Sequence, residues 1–206
     1  MIDTRLHHRV QPLFDQTGKN LCRAGFTPVQ ITLAACVTGL AAGFFISRQW
    51  MMMALVLLWL SGIMDVLDGT VARLSGRVSA TGALMDLILD RMVEAAVILG
   101  FYAVAPEHAL AHLLFFVGVI FNFSTFLAAG ALFPNRGGKS MHYDPGILER
   151  TETFLLFTGM ILWPAGQFGL LMVFNALMFV TGILRFYRLI RQEQISSKSD
   201  EKTEGK

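Results

Sequence analysis

The sequence predicts an all-α integral membrane protein, a bundle of six transmembrane helices preceded by an amphipathic helix lying at the bilayer surface. Three observations carry that expectation. The 206-residue chain is 54% hydrophobic and 16% charged with a mean hydropathy of +0.54, too apolar for an ordinary soluble domain. Apolar runs long enough to span recur at about residues 28–47, 50–68, 82–104, 109–133, 147–165 and 167–190. The basic residues also segregate: of seventeen Lys and Arg, only Arg48 falls among the loops near 48–50, 105–109 and 164–167. Arg5, Arg9, Lys19, Arg23, Arg73, Arg77, Arg136, Lys139, Arg188, Arg191 and the tail lysines lie on or near the opposite side. The positive-inside rule makes that side cytoplasmic, with both termini in. The expected organisation is an interfacial helix over 1–24, a membrane domain over 25–191 and a disordered cytoplasmic tail over 192–206. No nucleic-acid partner is expected.

In residues 1–22, Ile2, Leu6, Val10, Leu13 and Phe14 recur at helical spacing among Arg5, His7, His8, Arg9 and Lys19, which suits a helix resting on anionic lipid. A disordered basic arm is the competing reading. The segment lacks the ordered charged, apolar and small-residue regions of a cleavable signal peptide, so these residues are expected in the mature protein. Thr27 and Pro28 then form an N-cap and a first helical residue for the first span. Ala35, Gly39 and Gly43 make a small-residue stripe that admits a second helix closely. Cys22 and Cys36 are not expected to pair, and no Cys/His metal spacing exists.

The fourth span carries Asn122, Ser124 and Thr125, for which interhelical hydrogen bonding is the default. The loop 134–146 contains Gly137-Gly138-Lys139 without the spacing of an ATP-binding P-loop. Arg185 and Arg188 sit near the cytoplasmic end of the last span, where cations match the helix dipole. After Ile195 the chain is charged and Ser-rich with no apolar residue, which predicts a solvated tail.

Chemistry concentrates in residues 65–90, which read D-x-x-D-G-x-x-A-R, eight residues, then G-x-x-x-D-x-x-x-D. On helices, Asp65 and Asp68 share one face, and Gly82, Asp86 and Asp90 share another. Two helices joined by a short turn would aim four carboxylates at one spot. An ionised Asp near the centre of a membrane helix costs about 2.5–3.5 kcal/mol, so four of them need a cation or a water-filled cavity. Oxygen ligands in that number suit a hard divalent ion, Mg²⁺ in particular. Gly62, Gly69 and Ala72 keep the nearby helix surface low, which serves helix packing and close approach of a nucleotide equally well. Glu94, one turn beyond Asp90, is either a buried partner for an arginine or a neighbour that raises the Asp90 pKa.

This pattern resembles the signature of the CDP-alcohol phosphotransferases at all eight fixed positions: Asp65, Asp68, Gly69, Ala72, Arg73, Gly82, Asp86 and Asp90. The resemblance implies a phospholipid-synthesising enzyme, often a homodimer, whose six helices enclose a polar cavity open to the cytoplasm. Asp65, Asp68 and Asp86 would hold one or two Mg²⁺ or Mn²⁺ ions against the pyrophosphate of a CDP-linked donor. Asp90 would take the proton of the attacking hydroxyl and Arg73 would pair with phosphate, both as catalytic residues. Gly69, Ala72, Arg73, Gly82 and, through the start of the first span, Thr32 would border the nucleotide.

The expected reaction moves a phosphatidyl group from CDP-diacylglycerol to a polar hydroxyl, releasing CMP. Transfer of a phospho-alcohol from a small CDP-alcohol to a lipid hydroxyl shares the signature. An ion-coupled transporter is the rival from another class, since intramembrane carboxylates also mark ion pathways. Internal repeats expected of many transporters are absent, and the carboxylates gather at one end. Lys139, Arg150 and Arg185 come from three stretches at the cytoplasmic end and resemble the basic residues with which relatives grip inositol phosphate. A phosphorylated polyol such as inositol phosphate or glycerol phosphate is therefore the expected acceptor.

Overall fold

The computed structural model describes the backbone of residues 2–132 and 150–204, with side chains over 11–132 and 150–191. The described residues form seven α-helices and no strand: α1 (Ile2–Arg23), α2 (Pro28–Ser47), α3 (Met51–Leu74), α4 (Ala80–Val104), α5 (Ala109–Leu132), α6 (Arg150–Leu162) and α7 (Gln167–Glu204). Four segments are long and apolar enough to cross a membrane: Pro28–Ser47, Met51–Leu74, Pro106–Leu132 and Pro164–Arg191. α4 has the length, at 25 residues, but carries Asp86, Asp90, Arg91 and Glu94, and α6 has 13 residues. The all-α membrane class therefore stands, with four of the six expected spans meeting both criteria.

Helix starts follow the expected chemistry. Thr27 caps α2, its Oγ1 accepting from Gln30 N–H at 3.3 Å while Gln30 Oε1 accepts from Thr27 N–H at 2.9 Å, and Pro28 takes the first position. α3 runs past the expected end at residue 68, because Thr70 and Val71 are buried and hold the next turn down. α7 is helical to Glu204. No Gly or Pro interrupts the chain between Gly182 and Glu204, so an established helix propagates at small cost per residue. Lys139 and the 134–146 loop lie outside the described residues.

The chain divides into two compact units, residues 1–109 with 157–167, and residues 110–156 with 168–206. In the first, α2 packs against both α3 and α4. A Cβ on Gly39 would stand 2.5 Å from the Val93 methyls, and one on Gly43 or Gly100 would strike the carbonyl of Ala96 or Gly43 respectively. The small-residue stripe thus sets the α2–α4 distance. Ser61, fully buried, donates from Oγ to the Ala35 carbonyl at 2.7 Å and ties α3 to α2. α1 docks rather than dangling as an arm: Phe14, Leu21 and Cys22 pack with Met64 on Ile31, Leu67 and Val71. Facing outward on α2, Leu33, Val37, Leu40 and Phe44 remain exposed at helical spacing, as a lipid-covered face requires.

In the second unit Phe115 of α5 stacks on Phe174 of α7 with centroids 5.3 Å apart, and Asn175 Nδ2 donates to the Ala111 carbonyl at 2.9 Å. Asn122 makes the expected interhelical bond, its Oδ1 accepting from Arg185 Nη1 at 2.6 Å.

The α2–α4 approach yields a stability test. Gly43→Ala should destabilise the detergent-solubilised protein by about 1–3 kcal/mol, since the added methyl meets backbone that cannot rotate away. Thermal unfolding checks it, with Gly169→Ala, where the methyl meets nothing within 4 Å, as the control expected to unfold near wild type.

Candidate active site

The site is made by the way α3 ends and α4 begins. Gly76 adopts φ +66°, a left-handed conformation that glycine takes without strain. Its N–H donates to the Arg73 carbonyl at 3.4 Å and the Arg77 N–H donates to the Ala72 carbonyl at 3.0 Å, the paired bonds of a Schellman C-cap. Three residues later Ser79 caps α4, its Oγ accepting from Gly82 N–H at 3.0 Å. This short reversal lays the first turns of α4 beside the last turns of α3.

Three of the four carboxylates expected at one spot meet there, and Asp90 is the one left out of the group, a correction to the expected set of four. One oxygen each from Asp65, Asp68 and Asp86 lies within 4.8 Å of the others, with Asp68 buried and the other two half-buried. Asp86 Oδ1 is buried and has no hydrogen-bond partner among the described residues. A carboxylate oxygen cut off from water without a donor is costly unless a cation answers its charge. An all-oxygen set of three converging carboxylates fits a hard divalent ion. Asp90 is half-buried one turn along α4 and belongs neither to this cluster nor to the wall of the adjoining cavity.

That cavity, about 670 Å³, runs from Asp68 and Asp86 to the start of α2 and the α3–α4 turn. Its wall includes Thr32, Gly69, Ala72, Arg73 and Gly82, so the structure brings all five expected nucleotide-site residues to one space. Gly69 presents an open surface: a Cβ there would meet only Arg73 Nη1, at 3.4 Å, an ordinary contact with the end of a flexible side chain. Arg73 Nη2 donates to Thr70 Oγ1 at 3.2 Å, which ties the guanidinium to its own helix at the cavity wall. Thr32 spends its hydroxyl proton on the Pro28 carbonyl at 3.0 Å, leaving its oxygen as an acceptor only.

Two features escaped the sequence reading. Arg77 and Ser79 also line the cavity, and the Ser75-Gly76 helix stop that folds Arg77 back was the available signal. Arg91 pairs with buried Glu94, Nη2 to Oε1 at 2.7 Å on the same helix, the arginine contact that was one of the two roles expected for Glu94. The proposed acceptor residues fall in the second unit. Arg150 opens α6 with its guanidinium 5.6 Å from the Phe154 ring, and Arg185 lies 5.5 Å from the Phe126 ring besides bonding Asn122.

Fold and site define a helical membrane protein with a carboxylate centre at the end of a nucleotide-sized cavity. The chain belongs to the CDP-alcohol phosphatidyltransferase family, whose pattern it matches over residues 26–187, and it is thereby a transferase of phospholipid synthesis. It is 37% identical over 195 residues to the inner membrane protein YnjF of Escherichia coli (strain K12), covering 91% of this chain and 94% of that one. Over 97 residues it is 30% identical to the archaetidylinositol phosphate synthase of Pyrococcus horikoshii, 47% of this chain and 52% of that one. The fold superposes on the phosphatidylinositol phosphate synthase of Mycobacterium tuberculosis (PgsA1) with CDP-DAG bound, at TM-score 0.75 and 21% identity, over 86% of this chain and 94% of that one. Its complex with manganese and citrate gives TM-score 0.73 at 20% identity, over 85% and 88%.

The Arg91–Glu94 pair carries an asymmetric prediction. Arg91→Ala should destabilise by about 2 kcal/mol, less than the 3–5 typical of a fully buried pair because the guanidinium is 34% exposed. Glu94→Gln should cost less, since the arginine left behind still reaches solvent. Thermal unfolding of both variants, read against activity, checks the order.

Proposed function

We propose that this protein transfers a phosphatidyl group from CDP-diacylglycerol to the hydroxyl of a phosphorylated polyol, with inositol phosphate or glycerol phosphate as acceptor. The observation that carries the reading is the convergence of Asp65, Asp68 and Asp86 within 4.8 Å at the end of a cavity walled by Arg73. These three aspartates hold one or two Mg²⁺ or Mn²⁺ ions. An ion bound by these residues would supply charge neutralisation for the donor pyrophosphate and the departing CMP.

The protein's own groups do the rest. Gly69, Ala72, Gly82 and Thr32 border the nucleotide, and Arg73 pairs with a phosphate oxygen. Asp90, outside the metal cluster, takes the proton from the acceptor hydroxyl as its oxygen bonds to the lipid-bearing phosphorus and the bond from that phosphorus to the CMP oxygen breaks. Lys139, Arg150 and Arg185 grip the acceptor phosphate, and the names of the archaeal and mycobacterial relatives support an inositol phosphate. Arg150 opens α6, where the helix dipole disfavours a cation and an anion is a natural partner. The site faces the cytoplasm with both termini, by the distribution of basic residues, and the protein works as a homodimer as family resemblance implies.

CMP release from CDP-diacylglycerol by purified protein, compared with CDP-choline and CDP-ethanolamine, tests the donor. Activity should require Mg²⁺ or Mn²⁺ and vanish with EDTA. Asp68→Asn should weaken Mn²⁺ binding at least tenfold by electron paramagnetic resonance, whereas Asp90→Asn should abolish turnover with Mn²⁺ affinity within about threefold of wild type. Equal loss of metal by both variants would remove Asp90 from the role of base.

For the acceptor, a phosphorylated polyol should outcompete the free polyol and serine. Arg150→Ala should raise the acceptor KM about tenfold and leave the donor KM within twofold, the size expected when one charged hydrogen bond to phosphate is lost. A defect confined to the donor would return Arg150 to ordinary positive-inside charge.

A further inference from the structure

We propose that Arg77 selects the donor's base, its guanidinium donating hydrogen bonds to the N3 and O2 acceptors of cytosine. The inference rests on the reading of the cavity as a CDP-linked donor site and goes beyond the signature, because Arg77 stands in the eight-residue spacer whose identities the signature leaves open.

Position comes first. With the pyrophosphate at the aspartates, the nucleoside extends toward the opposite end of the cavity. α3 rises about 1.5 Å per residue, so its end at Leu74 lies about 9 Å beyond Asp68, one sugar and one base further along. The Schellman turn at Gly76 then folds the chain back, and Arg77 joins the cavity wall at that end.

Commitment of the neighbouring groups comes second. Thr27 is bound into its capping box with Gln30, the Ser79 oxygen accepts from Gly82 N–H, and Thr32 donates to the Pro28 carbonyl. Arg73, nearer the aspartates, is held by Thr70. Among the described residues, the Arg77 side chain makes no hydrogen bond or ion pair, and its guanidinium is the one uncommitted multi-donor group at the nucleoside end.

Chemistry comes third. A guanidinium offers five N–H donors in a fixed fork and no acceptor. Cytosine presents two adjacent acceptors, N3 and O2, that match such a fork. Uracil carries N–H at N3, so one arm of the fork would face another donor. Arg77 is exposed in the open cavity, and a base seated against it would cover the fork, so that a ligand leaving one of the covered donors unmatched is disfavoured.

The experiment uses the full-length protein in detergent, with CMP and UMP as competitive inhibitors of turnover with CDP-diacylglycerol. Arg77→Ala should raise the Ki of CMP about tenfold and that of UMP less than threefold, so that the preference for cytosine collapses. Arg77→Lys, which keeps the charge but not the fork, should keep the affinity for UMP and lose at least threefold in the CMP/UMP ratio. Parallel losses for CMP and UMP would mean a phosphate contact or a structural role and would overturn the proposal, as would an unchanged ratio. If Arg77→Ala does not fold, the lysine variant decides on the same ratio. Wild-type turnover that Asp68→Asn abolishes, together with an unchanged ratio in the Arg77 variants, rejects the base contact alone. If wild-type protein releases no CMP from CDP-diacylglycerol, the donor reading fails and the Arg77 assignment with it.

Discussion

The structure depends on one constraint, that carboxylates carried by apolar helices must have their charge answered where they stand. Asp65, Asp68 and Asp86 sit on helices whose other faces are lined with exposed Leu, Ile, Val and Met, which commits those faces to lipid. Ionised groups in such helices are tolerated when they converge on a cavity or a cation. Convergence here requires α3 and α4 to lie side by side at their connected ends, and the Gly76 stop followed by the Ser79 cap accomplishes that in five residues, 75–79. The motif's glycines and its spacer therefore belong to one device: Gly69 keeps the floor open, the turn reverses the chain, and Gly82 supplies the N–H that completes the cap.

That arrangement needs a rigid wall, and α2 provides it. Because Gly39, Gly43 and Gly100 remove side chains from the α2–α4 contact, the two backbones approach to where any methyl group would collide. In lipid, dispersion and close packing replace the hydrophobic effect as the force between helices, so such a contact fixes geometry more firmly than larger side chains could. The start of α2, with Thr27, Pro28 and Thr32, is thereby held over the aspartate end of α3, and α1 clamps the same region from outside through Phe14, Leu21 and Cys22.

Legibility in the sequence followed the range of the interaction. The two aspartate faces, the Thr27–Pro28 start and the small-residue stripe were readable because each rests on helical spacing alone. The five residues expected around a nucleotide do share one cavity, a consequence of the turn that the eight-residue spacer encodes. What was missed involves a choice between equally spaced alternatives. Glu94 had several arginines to meet, and a contact three residues away on its own helix won. Arg77 read as one more cytoplasmic cation, since only the left-handed turn at Gly76 directs it to the cavity. The backbone of 192–204 continues as helix, and composition alone does not register that a long helix is already running into it.

The face of α4 shows how one repeat of acidic residues separates into different tasks. Asp86, Asp90 and Glu94 follow one another at intervals of four, so periodicity treats them alike. Their surroundings do not. Asp86 meets two carboxylates from α3, a repulsive set stable only around a cation, so its oxygens are committed to that ion. Glu94 is buried and ion-paired with Arg91 at 2.7 Å on its own helix. Asp90 stands between, outside the cluster and half-buried. With an ion at the first position and the arginine at the third, the middle carboxylate is the one set apart from both the metal cluster and the Arg91–Glu94 pair. The role proposed for Asp90 as base rests on that separation, which the packing of α4 against α3 produces.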